Sequence, residues 1–217
     1  KETVLPFQVN GNGMGRQNGE RLAVDPNKGE ILFCGSRSAG LWKSVNGAVS
    51  WTNVSSFPVK TTLSGNGICF LLFDKSSGSK GVASQTIYAG CSQTGANLFV
   101  SKDGGASWSA LSDTSLTANM MPQRAVLSPD GKILFVTYAN GAGPGGTTSL
   151  PYNQGAVMKC DLSSGKWTNI SPYNLLNSGG GYCGITMDAA NANRLIVTTI
   201  NHWSNQQYWD NGTTAWG

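Results

Sequence analysis

The feature that most limits what this chain can fold into is an internal repeat. One unit reads ERLAVDPNKGEILFCGS and then GLWKSVNGAVSWTNV. The next reads CFLLFDKSSG, TIYAGCS and NLFVSKDGGASWSAL, and a third reads RAVLSPDGKILFVTY and GAVMKCDLSSGKWTNI. A fourth opens GITMDAANANRLIVTTINHW. Trp51, Trp108 and Trp167 close the first three units, at intervals of roughly 57 to 59 residues, a period that marks propellers and arrays. Each unit is expected to begin with an inner strand ending near Asp25, Asp74, Ser128 or Asp188. A second strand follows (ILFCG, TIYAG, ILFVTY, RLIVTT), and then a hairpin turning at SVNGAVSW, SKDGGASW or DLSSGKW. Four strands per unit predict an all-β fold, a β-propeller with about four blades present. The blade units fall at approximately 16–57, 66–112, 122–172 and 180–217, so that 1–217 forms a partial propeller.

The hairpin turn has a physical logic. In Ser101-Lys-Asp103-Gly-Gly105-Ala-Ser-Trp108 the Asp side chain can bond backbone N–H groups across the turn. Gly supplies a positive φ, and Trp packs between blades. This is an Asp box, an element of fold rather than a catalytic site. Ser44 to Trp51 is a degraded copy, with Asn46 in place of Asp and the second Gly lost.

Composition removes several function classes. Charged residues are 12% of the chain, Gly is 29 of 217, and the formal charge of +4 comes from scattered Lys and Arg. No basic stripe for nucleic acid and no polybasic membrane patch is present, and no apolar run is long enough to span a bilayer. A neutral partner suits such a surface. The N-terminal KETVLPF lacks a leader pattern, so an export signal is expected to be upstream or already removed. Asn53-Val-Ser, Asn169-Ile-Ser and Asn211-Gly-Thr match the N-glycosylation acceptor pattern of secreted chains. Five cysteines without a Cys-x-x-Cys pair predict no metal site, and no cofactor is expected. The run Gly11 to Arg16 leads into a strand rather than a helix, so it reads as an inter-blade loop and not a phosphate cradle. Simple hairpin register sets Cys69 opposite Cys91 within disulfide reach, and Cys160 could meet Cys183 across blades. Free buried thiols are the alternative for all five.

Cleaving a glycosidic bond takes two carboxyl groups flanking it. The repeat accounts for Asp25, Asp74, Asp103, Asp130, Asp161 and Asp188 as turn or blade positions, leaving Glu2, Glu20, Glu30, Asp113 and Asp210. Of these, Glu20 and Asp210 sit where a propeller would expose them near a ligand face, and they are the catalytic candidates. His202 is the sole histidine, and no Gly-x-Ser-x-Gly elbow accompanies it. Aromatic residues near loops, namely Tyr138, Tyr182, Trp203, Tyr208, Trp209 and Trp216, are candidates for stacking on sugar rings. Packing between blades is the competing role, above all for Tyr138 and Trp216.

The stretch LPFQVNGNGMGRQNGERLAVDPNKGEILFCGSRSAGLWKSVNGAVSWTNVSSFP resembles the propeller of glycoside hydrolase family 74, the xyloglucanases. The segments SQTIYAGCSQTGANLFVSKDGGASWSAL, PQRAVLSPDGKILFVTYANGAGP and GGGYCGITMDAANANRLIVTTINHW extend that resemblance in order along nearly the whole chain. It implies part of the N-terminal of two seven-bladed propellers that face across a cleft. It also implies inverting endo-hydrolysis of the β-1,4-glucan backbone of xyloglucan by one aspartate from each propeller. Neither aspartate is expected within this chain. The positions that carry over as cleft-bordering, substrate-binding residues are Arg16 and Arg21, Tyr182, and Asn201, His202 and Trp203. The loop after Phe57 is shorter than the family's, and the fourth unit ends without a clear box. Four units do not close a seven-bladed ring. The chain is therefore expected to join remaining blades of the same protein or copies of itself. Its expected partner is a polysaccharide, xyloglucan or a related β-glucan, and its expected location is extracellular. A non-catalytic glycan-binding or self-assembling module is the alternative.

Overall fold

The computed structural model describes residues 4–8, 21–62, 67–111, 116, 119–140, 154–173, 181–188 and 190–200. Three four-stranded antiparallel sheets and one two-stranded sheet follow each other along the chain. The first comprises β1 (Leu22–Val24), β2 (Leu32–Gly35), β3 (Leu41–Ser44) and β4 (Thr52–Asn53). The second holds β5 (Ile68–Phe73), β6 (Ile87–Cys91), β7 (Leu98–Ser101) and β8 (Ser109–Ala110). The third holds β9 (Met121–Leu127), β10 (Ile133–Ala139), β11 (Gly155–Asp161) and β12 (Lys166–Asn169). The fourth pairs β13 (Gly181–Asp188) with β14 (Asn191–Ile200). Each sheet is a meander in sequence order, the topology of a propeller blade.

The middle strands β6, β7, β10 and β11 are buried along nearly their whole length because the second and third blades are covered by neighbours, whereas the outermost β4, β8 and β12 are largely exposed. One buried cluster joins the first sheet to the second through Phe33, Leu41, Ile68, Leu71, Phe73 and Ile87. Another joins the second to the third through Phe70, Tyr88, Leu98, Leu134, Val136 and Met158. Tyr138 lies in this second cluster at 2% exposure. It is a packing residue of β10 and not a loop platform.

The linkers between blades also carry aromatics. Phe57, just beyond β4, meets Phe99 of β7 at 5.5 Å and the box residue Trp108 at 5.0 Å, both edge-on. Phe7 repeats this one blade earlier, stacking on Trp42 at 4.5 Å and meeting Trp51 edge-on at 6.1 Å. Polar bonds reinforce the same joints. The buried Asp25 carboxylate accepts from Ser84 N–H and Ser84 Oγ–H, each at 2.8 Å. Lys43 Nζ donates to Gly104 O at 2.8 Å.

The expected Cys69–Cys91 disulfide is not formed. A bulge sets Ile68, not Cys69, opposite Cys91. Cys69 and Phe70 consequently both face the second cluster, while Cys91 faces the first, so the two thiols lie on opposite sides of one sheet. Cys160 and Cys183 likewise form no disulfide. Burial pushes Cys34 up to about 11 and Cys69 up to about 12, which leaves both protonated and unreactive at neutral pH.

Candidate functional site

The meander gives each blade two unlike ends. The turns after the innermost strands and the box turns lie together at one end, as Gly47 N–H to Glu30 O at 2.9 Å and Gly104 N–H to Gln85 O at 2.8 Å show. The opposite end holds the starts of the innermost strands, the linkers between blades and the turns joining second to third strands.

At the first end the box turns are closed by their own side chains. Asp103 Oδ1 accepts from Ser101 Oγ–H and Ser107 N–H, each at 2.8 Å, and Gly105 N–H donates to Ser101 Oγ at 2.8 Å. Ser107 Oγ–H, Ser107 N–H and Ser101 Oγ–H hold the Asp103 carboxyl down to about 2. The degraded box folds the same way. Asn46 Oδ1 accepts from Ser50 N–H at 2.9 Å, and Asn46 Nδ2 donates to Ser50 Oγ at 2.8 Å. Ala48 takes the positive φ of 64° that Gly105 takes at 89°. Every described acidic residue belongs to this end: Asp25, Glu30, Asp74, Asp130 and Asp188 around the first turns, Asp103 and Asp161 in the hairpin turns. A concavity of about 810 Å³ opens here beside Leu72, Asp74, Lys80, Ser128 and Thr186. Asp74 on its rim is occupied by Ser76, whose N–H and Oγ–H both donate to it.

Arg21 and Tyr182 come to the other end, at the starts of β1 and β13. Neither presents a free face. Arg21 is 6% exposed, its carbonyl accepts from Gly35 N–H at 2.8 Å, and burial lowers its pKa, with Cys69, Cys34 and Arg37 as its electrostatic neighbours. Tyr182 is fully covered, so its ring is not open for stacking. Its hydroxyl donates to Tyr173 O at 2.9 Å and accepts from Tyr173 N–H at 3.0 Å. Burial pushes this phenol above its ordinary value.

Around them the loops are fastened at their bases. Asn140 N–H donates to Gln154 O at 3.1 Å, and Asn97 Nδ2 donates to Met120 O at 2.8 Å. Ser36 Oγ donates to Gln8 O at 2.7 Å. Thr137 Oγ1 donates to Cys183 O at 2.6 Å, tying the third blade to the fourth. A Cβ on Gly155 would stand 2.6 Å from Gly181 Cα, so the same joint is backbone against backbone. The residue that sequence reasoning missed is Tyr173, 69% exposed in the linker beyond β12. Nothing in its local pattern, Ser-Pro-Tyr-Asn, distinguishes it; the signal is the bond from Tyr182.

Arg16, Glu20, Asn201, His202, Trp203 and Asp210 lie outside the described residues, as do Tyr208, Trp209, Trp216 and Asn211. Ile200, which precedes Asn201, pairs with Gly181 at this same end. The acceptor residues Asn53 and Asn169 are exposed on the outermost strands β4 and β12. Among the described residues no three His, Cys, Asp or Glu side chains gather as a metal cluster.

No family model matches the chain. A xyloglucanase of Paenibacillus sp. is 41% identical over 214 residues, covering 93% of this chain and 20% of that protein. The Niastella koreensis GH74 enzyme structure superposes with a TM-score of 0.80 at 47% identity, covering 96% of this chain and 29% of that one. The GH74 xyloglucanase from Xanthomonas campestris gives 0.79 at 32% identity, covering 92% and 29%. The chain therefore spans between a fifth and a third of the length of these relatives.

Proposed function

The chain is homologous to glycoside hydrolase family 74 over nearly its whole length, and on that premise we propose that it is a segment of a secreted xyloglucan-hydrolysing enzyme of the inverting endo type. Its part is to supply glycan-binding surface at the linker end of its blades, while the catalytic pair lies elsewhere in the protein. The observation that carries this reading is the 41% identity with a xyloglucanase across 93% of the chain. The distribution of carboxylates supports the division of labour. Every described acidic residue is at the box end, whereas bond cleavage needs two carboxyls at the glycan. The fastened loop bases at the linker end suit a surface that meets a long polymer without reorganising.

The test is a reducing-sugar assay on xyloglucan, with an unbranched β-glucan as control. The full-length protein is expected to release reducing ends from xyloglucan, and the 217-residue segment alone to release none. A full-length protein that binds xyloglucan without cleaving it would refute the enzyme reading and favour a non-catalytic glycan-binding module.

A further inference from the structure

The linker leaving the third sheet is tied down bond by bond. Ile170 N–H donates to Val157 O at 2.9 Å, and Val157 N–H donates to Ser171 Oγ at 2.9 Å. Ser171 N–H and Oγ–H both donate to Asn169 Oδ1, at 2.9 and 2.6 Å. Two residues on, the Tyr182 hydroxyl holds the donor and the acceptor of Tyr173 together. Because Tyr182 is fully covered, its hydroxyl must find partners inside the protein, and it finds both on one residue.

On this support the Tyr173 ring stands 69% exposed. A single exposed aromatic ordinarily needs no explanation. Tyr173 differs because its backbone is fixed on both sides by a buried group, so less ordering remains to be done when a ligand arrives. A flat amphipathic face held in this way matches the C–H face of a pyranose ring. We infer that Tyr173 is a glycan-stacking platform for a neutral sugar ring and that Tyr182 is its positioning residue. This rests on the proposed function, whose end of the fold it shares.

Calorimetric titration of the full-length protein with xyloglucan oligosaccharides tests it. Tyr173→Ala is expected to raise Kd about 3- to 10-fold, the range that one aromatic stacking contact represents, with the thermal midpoint unchanged. Tyr173→Phe and Tyr173→Trp restore the affinity. Tyr182→Phe keeps the buried ring but loses both bonds to Tyr173, and it raises Kd by a smaller factor. In the Tyr173→Ala background the same change adds no further loss, which a general loosening of the fold would not produce. If the wild type binds and Tyr173→Ala binds equally well, the platform is refuted and the proposed function stands. A wild type that binds none of the oligosaccharides refutes both.

Discussion

The two hairpin turns at Ala48 and Gly105 occupy the same position of the repeat and should respond to substitution with opposite signs. In Gly105→Ala, a non-glycine residue must hold a φ of 89°, which costs about 1–2 kcal/mol. Its Cβ would stand 2.6 Å from Phe33 Cζ and 2.8 Å from Phe33 Cε1. Phe33 is fully buried between two blades and edge-on to Phe73 at 5.8 Å, so it has nowhere to retreat. Overpacking of this kind adds about 1–3 kcal/mol. Loss of glycine freedom in the unfolded chain returns about 0.4–1 kcal/mol, leaving a net destabilisation of about 1–5 kcal/mol. Ala48→Gly removes an existing left-handed alanine and is expected to be neutral or to stabilise by up to about 1 kcal/mol. Urea unfolding followed by tryptophan fluorescence reads both as shifts of the midpoint at constant slope. A loss below about 0.5 kcal/mol for Gly105→Ala, or a larger loss for Ala48→Gly than for Gly105→Ala, would refute the argument from φ and Phe33.

Phe57→Ala removes a fully buried ring from Phe99 and Trp108 and should cost about 3–5 kcal/mol in the same unfolding experiment. Alkylation without reduction, followed by peptide mass mapping, should label all five cysteines once the protein is denatured, and reductant should leave the unfolding midpoint unchanged. Asp103 and Asp161 are both held at about 2 by hydrogen bonds. Their contribution is complete above the ordinary carboxylate range and is lost as pH falls through about 2. Asp103→Asn should keep the turn, as Asn46 does, while deleting one of these titrations from an NMR pH series. At the other extreme, Cys34 and Cys69 are pushed up to about 11 and about 12. Stability should therefore fall as pH rises from the ordinary thiol value toward those values, as read by thermal midpoints in alkaline buffers.

Much of the fold was legible because a propeller writes the same local solution several times. The spacing of Trp51, Trp108 and Trp167, and the Asp, Ser or Asn side chains that close each turn, are local signals that need no tertiary knowledge. Where sequence reasoning failed, a non-local fact decided the outcome. Pairing Cys69 with Cys91 assumed an unbroken ladder, and one bulged residue turned the thiols to opposite faces. Asn46 looked like decay of the box, yet an amide can accept and donate where a carboxylate only accepts. Tyr138 and Tyr182 both stand near loops in the sequence, but burial depends on the neighbouring blade. For the same reason Tyr173, supported by a residue nine positions along the chain, left no local trace.

Three contacts of the first blade reach forward to the second. Asp25 waits for Ser84, 59 residues later, Lys43 waits for Gly104, 61 residues later, and Phe57 waits for Trp108. As the chain leaves a ribosome, the first blade can complete its own hydrogen-bond ladder, but its Asp25, Lys43 and Phe57 contacts to the second blade stay unmade until that blade is synthesised. For this joint translation order is also closing order, and a chain stalled after its first blade displays the joint unfinished at its leading edge.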